Sequence, residues 1–586
     1  MSLYLEKLKK CDSISDFIRE FNLGLSTKQF GYIVYFLQDC KKYKSFEILK
    51  SNGDLRTIHA PKKSLKFLQK QFSSIFLQSI LDIQKQNHHY LRCNHAFEKN
   101  KSIISNARHH QKKKFLLNID ISDFFGSIHY GRIKNFLIND KYFSMTEKGA
   151  SIIATLAVYQ GKLPQGSPLS PILATLIGNL IDIRLTQIAK KYRLTYTRYA
   201  DDISFSSNCP LPEELVYWDA SQQIWVAGKI LEKVILKTGF LINPKKTRYT
   251  AIPSRQLVTG IVVNMHTNAP SQYRKQNRAM VNSLLQKGEF YIEKNGIQTK
   301  GTLNQIIGRL NHTIYTKYHE PFVDRKLGRE EREKFKEQNR NYIIEIISKK
   351  WHKGKSSCSE ADHQTKLLRN VLFYKYFNSL DKTKIFTEGV TDSIYFQIAA
   401  EKFNLKDDLS FQKTNISLKK LGLKGGVTTI EFFLKNIEDN NFINLKKFKT
   451  NSEYPAIFIL DYDQGLDGCP KIIEKFSNGR QYCHITRNIY VLLLKPYNGK
   501  ENYKKNKICI ENLIRYEGRQ IEVDGAKNEN VCWNNSLISK MEFSKYISNH
   551  KTDFDFTRFE GIFSIIKDIE QDYSKLLTQA QAQDGW

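Results

Sequence analysis

Acidic residues are in short supply in this chain. Asp and Glu total 59 against 91 Lys and Arg over 586 residues, a formal charge of +32. A charge that large implies strong, salt-dependent phosphate binding through counterion release. The nine cysteines include no Cys-x-x-Cys pair, which argues against a zinc site or a disulfide scaffold. No apolar stretch reads as long enough to span a bilayer, and the start, Met1-Ser2-Leu3-Tyr4-Leu5-Glu6-Lys7, lacks a secretory pattern. The expectation is a protein of the reducing cytoplasm with no membrane partner. No fixed-period repeat is visible. What the chain does have is length for several cores, about four at roughly 150 residues per domain. It also has 30 tyrosines and 36 phenylalanines, which offer stacking surfaces for bases as well as core.

The run Arg198-Tyr199-Ala200-Asp201-Asp202-Ile203-Ser204-Phe205 is the most informative stretch. Strand-forming residues from Leu194 to Tyr199 meet Ile203 to Phe205 across Ala-Asp-Asp, which predicts a β-hairpin with two carboxylates at its tip. Adjacent acids repel and are costly to hold unless a cation sits between them. In a basic chain that cation is expected to be Mg²⁺ and its purpose phosphoryl transfer. Upstream, the apolar run Phe115 to Ile119 ends in Asp120, as a buried strand does when it delivers a carboxylate to a sheet edge. Two-metal chemistry needs carboxylates from separate strands to clamp ions about 3.5–4 Å apart. Asp120, Asp201 and Asp202 supply that set.

Phe125 follows five residues after Asp120. A ring there would lie beneath an incoming sugar and exclude a 2′-hydroxyl, favouring deoxynucleotides; the competing expectation is that Phe124 and Phe125 are core. Between the acidic sites lies Leu163-Pro164-Gln165-Gly166-Ser167-Pro168-Leu169-Ser170-Pro171, leading into an apolar helix from Ile172 to Ile183. Gly166 would let the backbone approach a nucleotide closely, with Gln165 beside it, and Pro171 suits a first helical turn.

The order Asp120, Pro-Gln-Gly, Tyr-Ala-Asp-Asp resembles the palm of a reverse transcriptase. Asn106-Ala107-Arg108-His109-His110 fits the Asn-Ala-x-x-His signature of retron reverse transcriptases, and Val258-Thr259-Gly260 fits their Val-Thr-Gly signature. Arg56 to Pro61 with Leu65-Lys66 looks like the start of the fingers, and Gly239 to Thr247 like the strand and turn after the catalytic hairpin. The resemblance runs from about Arg56 to His312. It implies that Asn106, Ala107, His110, Val258, Thr259 and Gly260 form surfaces for the cognate RNA, although His110 alone reads more readily as a packed core histidine. Basic runs at Lys62-Lys63, Lys112 to Lys114 and Lys245-Lys246 flank these motifs, as a template channel would require.

Residues 1–50 read as helical, and Asn277 to Lys287 with Leu303 to His312 read as the helices of a thumb. Alternating charges over 324–350 predict an exposed helix, followed by a polar joint at 353–359. A second pattern begins near Lys382. Lys384-Ile385-Phe386-Thr387-Glu388-Gly389 is a short strand ending in Glu-Gly, before an amphipathic helix that Thr391 or Asp392 would cap. Ala456 to Leu460 is a fully apolar strand ending in Asp461-Tyr462-Asp463-Gln464-Gly465. Asp461 and Asp463 point to one side of an extended backbone. Functional groups gather at the carboxyl ends of parallel strands, so Glu388, Asp461 and Asp463 are expected to converge on Mg²⁺. This order resembles the TOPRIM fold of topoisomerases, primases and OLD-type nucleases. Glu511, after Ile508 to Ile510, is either a further ligand or structural, and Gly425-Gly426 is a turn of the same sheet.

The expected fold class is therefore an α+β right-hand polymerase of fingers, palm and thumb, followed by an α/β TOPRIM domain. The bounds are 1–320 for the polymerase, 321–381 for a charged helical linker and 382–586 for the effector. The resemblance implies an RNA-directed DNA polymerase that copies a structured noncoding RNA into branched single-stranded DNA from dNTPs, in anti-phage defence. A fused metal-dependent nuclease would be held off by the RNA–DNA product, with RNA, tRNA included, preferred over DNA as its target. Two alternatives stand beside this: a non-catalytic TOPRIM-like binding module, and a mobile-element reverse transcriptase. A homo-oligomer is compatible with either.

Overall fold

A computed structural model describes residues 4–583 except 50–52, 295, 319–333, 335–336, 339, 342, 345–362, 439–442, 444, 450, 464, 467–468, 477–478, 496–506, 525–529 and 534–535. Most of the expected helix over 324–350 and all of the joint at 353–359 lie outside the described residues. The chain divides into two compact units, one of residues up to Pro270 and one of Ser271–Tyr318 with residues from Glu337 onward.

In the first unit, short helices at Ile14–Phe21 and Thr27–Gly31 each begin with a serine capping box, at Ser13 and Ser26. The N-terminal segment is not helical throughout, because Tyr43–Leu49 (β1) pairs antiparallel with Leu55–Pro61 (β2). The helix Lys63–Gln86 (α1) buries Leu65, Leu68, Phe72, Ile75 and Phe76, an i, i+3, i+4 stripe facing the core. A short helix, Ile103–Arg108 (α2), precedes the central strand Phe115–Ser122 (β3).

The helix Ser170–Lys191 (α3) carries Pro171 in its first turn, where a missing N–H costs nothing. By length and composition it could cross a membrane, contrary to the sequence expectation, but two-thirds of its apolar window is buried inside this unit. Its apolarity is that of a core helix. Thr195–Tyr199 (β4) and Asp202–Ser207 (β5) form the expected hairpin. After a second hairpin, Val216–Asp219 (β6) with Ile224–Ala227 (β7), come Leu241–Ile242 (β8) and Arg248–Ala251 (β9). The sheet runs β4-β5-β3-β8, with β9 also paired to β3. Leu257–Val258 (β10) and Ile261–Val262 (β11) close the unit as a small hairpin.

The second unit begins with Ser271–Lys287 (α4) and Leu303–Tyr318 (α5), which sequence reasoning grouped with the polymerase. Their Val281, Leu284, Ile306, Leu310 and Ile314 join one apolar cluster with Leu368 and Leu372 of His363–Phe373 (α6). That shared burial makes them part of this unit.

A five-stranded sheet forms its centre, built from Thr383–Thr387 (β12), Leu409–Gln412 (β13), Ala456–Leu460 (β14), Tyr482–Thr486 (β15) and Ile489–Leu493 (β16). The order is β13-β12-β14-β16-β15, parallel except for β15. Val390–Lys402 (α7) follows β12, and Val427–Glu438 (α8) lies between β13 and β14. All five residues of β14 are buried, as a parallel strand covered on both faces requires.

The expected linker does not extend to residue 381. Helix α6 buries nine residues, Gln364, Thr365 and Leu367 to Phe373. Beyond it the fully buried Phe377 stacks on Phe373 and Phe386 at 5.0 Å, with Phe458 at 6.1 Å. An apolar stripe that packs on the sheet is core, whatever charge precedes it. Phe377→Ala is therefore expected to destabilise the second unit by ~3–5 kcal/mol, measured by urea unfolding of the full chain. A change within the ~0.5 kcal/mol typical of a surface substitution would place the residue outside the core.

Candidate active sites

The first site is built on a pairing. On the antiparallel strands β3 and β5, Asp120 lies directly opposite Asp202, and the turn from β4 to β5 adds Asp201. Only Ala200 and Asp201 separate the strands. Ala200 adopts a left-handed backbone, φ 55°, which costs an L-residue roughly 1–2 kcal/mol. Two hydrogen bonds hold it there: Arg198 Nη1 donates to the Ala200 carbonyl at 3.1 Å, and the Ile121 N–H donates to the Asp201 carbonyl at 3.1 Å.

Arg198 is itself fully buried. It forms a two-pronged pair with Asp182 of α3, Nε to Oδ1 at 2.8 Å and Nη2 to Oδ2 at 2.7 Å, and Tyr196 adds its hydroxyl at 2.6 Å. A buried arginine needs such a partner. It also needs space. A Cβ on Gly178 would stand 2.7 Å from Arg198 Nη1, so only glycine fits there. Sequence reasoning missed Asp182, though a lone acid in an apolar helix is a signal for a buried partner.

The three carboxylates are under-compensated. Asp202 is pushed up to about 6 by desolvation, then by Asp201 and Asp120. Asp201 is raised by desolvation and by Asp120. Lys246 Nζ lies 2.9 Å from Asp120 Oδ2, and its own pKa rises through that hydrogen bond, while Arg56 adds a weaker offset at Asp201. The Asn243 N–H fixes the Asp120 backbone at 2.8 Å. Lys246, expected as part of a template channel, is thus a neighbour of the carboxylates. Three converging acids, two of them raised by desolvation and neighbouring charge, fit a divalent cation.

Around them, Phe124 is core at 3 % exposure while Phe125 is half-buried against it, ring centres 5.7 Å apart. The Pro-Gln-Gly turn docks on the protein itself. The Gln165 carbonyl accepts from the His59 N–H of β2 at 2.8 Å, and a Cβ on Gly166, φ +123°, would meet the His59 carbonyl at 2.8 Å. The close approach that requires glycine is to β2. A cavity of about 300 Å³ opens beside this turn, lined by Thr57, His59, Asp123, Tyr159 and Gln165.

The two signatures expected as RNA surfaces are mostly interior. Asn106, Ala107, His110 and Val258 are fully buried, so their side chains cannot meet an RNA in this state. His110 bridges two strands, Nδ1 to Ser206 Oγ and Nε2 to Thr197 Oγ1, both at 2.7 Å. Thr259, φ 47°, and Gly260 form the turn between β10 and β11, where Thr259 is half-buried and Gly260 exposed. Thr259 Oγ1 donates to the Ile103 carbonyl of α2 at 3.3 Å. The signatures therefore brace one another and leave a single turn at the surface.

The second site lies at the carboxyl ends of β12 and β14. Glu388 Oε1 accepts from the Asp461 N–H at 2.9 Å, so the two strand ends are joined. The Gly426 N–H donates to the Glu388 carbonyl at 3.1 Å, which puts the expected Gly-Gly turn under the same residue. Gly389, not Thr391 or Asp392, is the N-cap of α7, and Asp392 accepts from its N–H at 2.7 Å.

Desolvation raises Glu388, with Asp463 and Asp392 adding to it. Asp461 is raised as well, by burial, then by Glu388, Asp392 and Glu511. Glu511 sits on a 3₁₀ turn, Ile510–Leu513, rather than at a strand end. It is fully buried and paired with Lys540 Nζ at 2.9 Å. Asp392, Glu511 and Lys540 join Glu388, Asp461 and Asp463 in one electrostatic neighbourhood, an excess of acids that fits a divalent cation. Gln464 lies outside the described residues.

The reverse transcriptase (RNA-dependent DNA polymerase) family model matches residues 48–276. The retron Ec86 reverse transcriptase of Escherichia coli is 30% identical over 260 residues, 44% of this chain and 71% of that protein. The chain belongs to the retron reverse transcriptases. The retron Mx65 and Mx162 reverse transcriptases of Myxococcus xanthus are 30% and 31% identical over 262 residues each. The chain spans about half the length of those two, 56% and 52%. A solved telomerase from Candida albicans, in complex with a fragment of telomeric RNA, aligns at 12% identity over 57% of this chain and 64% of its own, with a TM-score of 0.32. A likeness that small establishes no common fold.

In this retron chain, burial drives the His110 imidazole down to about 3 from 6.5, with His109 and Lys113 adding to it. Below pH 6.5 the unfolded chain takes a proton that the folded chain refuses. Stability should then fall by about 1.4 kcal/mol per pH unit as pH drops toward the folded value. In urea titrations from neutrality to about pH 5 the wild-type slope should exceed that of His110→Gln by this amount, because the raised carboxyls contribute alike to both. Equal slopes would mean that His110 is protonated in the fold.

Proposed function

We propose that this retron protein is an RNA-directed DNA polymerase that copies a structured noncoding RNA into single-stranded DNA left branched to its template. The observation that carries the reading is the convergence of Asp120, Asp201 and Asp202 on adjacent strands and their turn, with Asp201 and Asp202 held above their usual range by desolvation and then by neighbouring carboxylates.

Mg²⁺ bound there would neutralise this charge and the charge developing on the attacking and leaving oxygens. The chain's own residues supply the frame. Arg198 and Asp182 hold the hairpin tip, and Lys246 donates a hydrogen bond to Asp120 Oδ2. Phe125, half-buried, is the residue proposed to exclude a 2′-hydroxyl, and the Thr259-Gly260 turn is the part of the two signatures open to RNA. Asp201→Asn removes one of the three charges. Primer extension should fall at least the ~10²–10³-fold seen when one electrostatic group leaves an active site, with RNA binding retained. Extension at the wild-type rate would overturn the assignment.

For the second site we propose a TOPRIM-type, metal-dependent nuclease, preferring RNA and held inactive by the RNA–DNA product, as an anti-phage effector. Support comes from Glu388 and Asp461 joined at the ends of adjacent parallel strands, with Asp463 beside them. The product remains bound to a chain of charge +32, so a tethered polyanion would act at high local concentration.

Glu388→Gln is expected to abolish cleavage and cell toxicity while DNA synthesis continues unchanged. Cleavage at full rate would favour a non-catalytic binding module instead. Digesting the DNA from the purified complex should release cleavage of cellular RNA. Equal activity before and after would rule out product gating, and cleavage of DNA alone would overturn the substrate preference.

A further inference from the structure

The nine cysteines lack any paired spacing, yet one of them stands among the acids of the second unit. Asp461, Asp463 and Cys509 each bring a ligand atom within 4.8 Å of the others. Two features make the grouping more than a chance of acids near a thiol.

The first is a fixed scaffold. Tyr462 and Ile508 exchange both backbone hydrogen bonds, 2.9 and 2.8 Å, so the residues flanking Tyr462 and the one following Ile508 are held in register. The second is an unanswered carboxylate oxygen two residues on. Glu511 is fully buried, with Oε2 on Lys540 and Oε1 without a hydrogen-bond partner among the described residues. Its charge is felt by both Asp461 and Cys509, which puts it beside the same group. Asp461 and Asp463 are half-buried and Cys509 is sealed behind them, so an ion would arrive from the carboxylate side.

We propose that Asp461, Asp463 and Cys509 bind a thiophilic divalent cation of the Zn²⁺ class, in competition with Mg²⁺ at the nuclease centre. Mg²⁺ takes oxygen ligands and leaves a sulfur unused. Zn²⁺ accepts both, at about 2.3 Å to sulfur and 2.0–2.2 Å to carboxylate oxygen, so the three atoms must draw inward by side-chain rotation. A mixed oxygen–sulfur set favours Zn²⁺ by ligand softness and by the general affinity order of these metals. While Zn²⁺ is held, the two carboxylates are unavailable to Mg²⁺ and the nuclease is silent. The inhibitory role rests on the nuclease reading above; the binding does not.

Cobalt(II) is the probe, because its bond to a thiolate gives an intense charge-transfer absorption that oxygen ligands do not. Metal-free full-length protein titrated with Co²⁺ should show that band and lose it on addition of Zn²⁺. Cys509→Ser should abolish it, and Cys469→Ser, which removes another buried cysteine, should leave it. Cys509→Asp should bind Co²⁺ without the band, which separates loss of sulfur from loss of fold.

Zn²⁺ should also suppress Mg²⁺-dependent cleavage, and Cys509→Asp should raise the Zn²⁺ needed by at least the ~10–100-fold that loss of an outer partner costs. A band that survives in Cys509→Ser, or no band in the wild type, overturns the proposal. A band in a protein without nuclease activity upholds the site and overturns the nuclease reading.

Discussion

Like charge gathered at the ends of strands is the constraint on which both units depend. Asp120 faces Asp202 across one ladder, and Asp201 follows in the adjoining turn. Left alone, such acids repel at a few ångströms in a partly desolvated setting, where each charge is worth several times its value in water. The rise of Asp202 to about 6 expresses that desolvation first and the repulsion second, as proton affinity. A fold that keeps these groups together must restrain the backbone beneath them. Here the restraint is the buried Arg198–Asp182 pair, which reaches the strained Ala200 through its carbonyl.

The same logic recurs in the second unit with different parts. Parallel strands leave their carboxyl ends open, and the Asp461 N–H, a backbone group at such an end, is satisfied by Glu388. One acid is thereby used to orient the next. Lys540 offsets part of the charge from the far side, through Glu511, and the remaining excess is what a cation would answer. The two centres share no sequence pattern. They share the device of placing acids where a strand ends and a turn can be pinned.

Much of this was legible in the residues. The alternation around Ala200-Asp201-Asp202 gave the hairpin, and the apolar runs before Asp120 and Asp461 gave the strands that deliver them. Less visible were partners supplied by tertiary folding. Asp182 lies in an apolar helix, Lys246 in a basic run and Lys540 in an unremarkable context, so their meaning appears only when the chain brings them to a carboxylate. The Asn-Ala-x-x-His and Val-Thr-Gly signatures misled in the opposite direction. The resemblance implied an RNA surface, whereas His110, which alone reads as a packed core histidine, satisfies both ring nitrogens on Thr197 and Ser206 in the interior. The boundary at Lys382 failed for a related reason. Charge before residue 360 suggested a linker, whereas the stripe through Leu368, Leu372 and Phe377 must be covered.

A chain of charge +32 draws every nucleic acid toward it with little discrimination. Selectivity must then come from short-range features that attraction cannot supply. Under the proposed reading the first unit would draw on three of them among the described residues: a ring at Phe125 only half-covered, a glycine turn seated on β2, and an exposed Thr259-Gly260 turn braced from beneath by α2. Each is rigid because it rests on buried residues. Rigidity is what lets a contact distinguish one polyanion from another, since a loose group would adapt to all of them. The buried signatures are thus consistent with recognition in an indirect sense, as the support that keeps one small turn in a fixed shape.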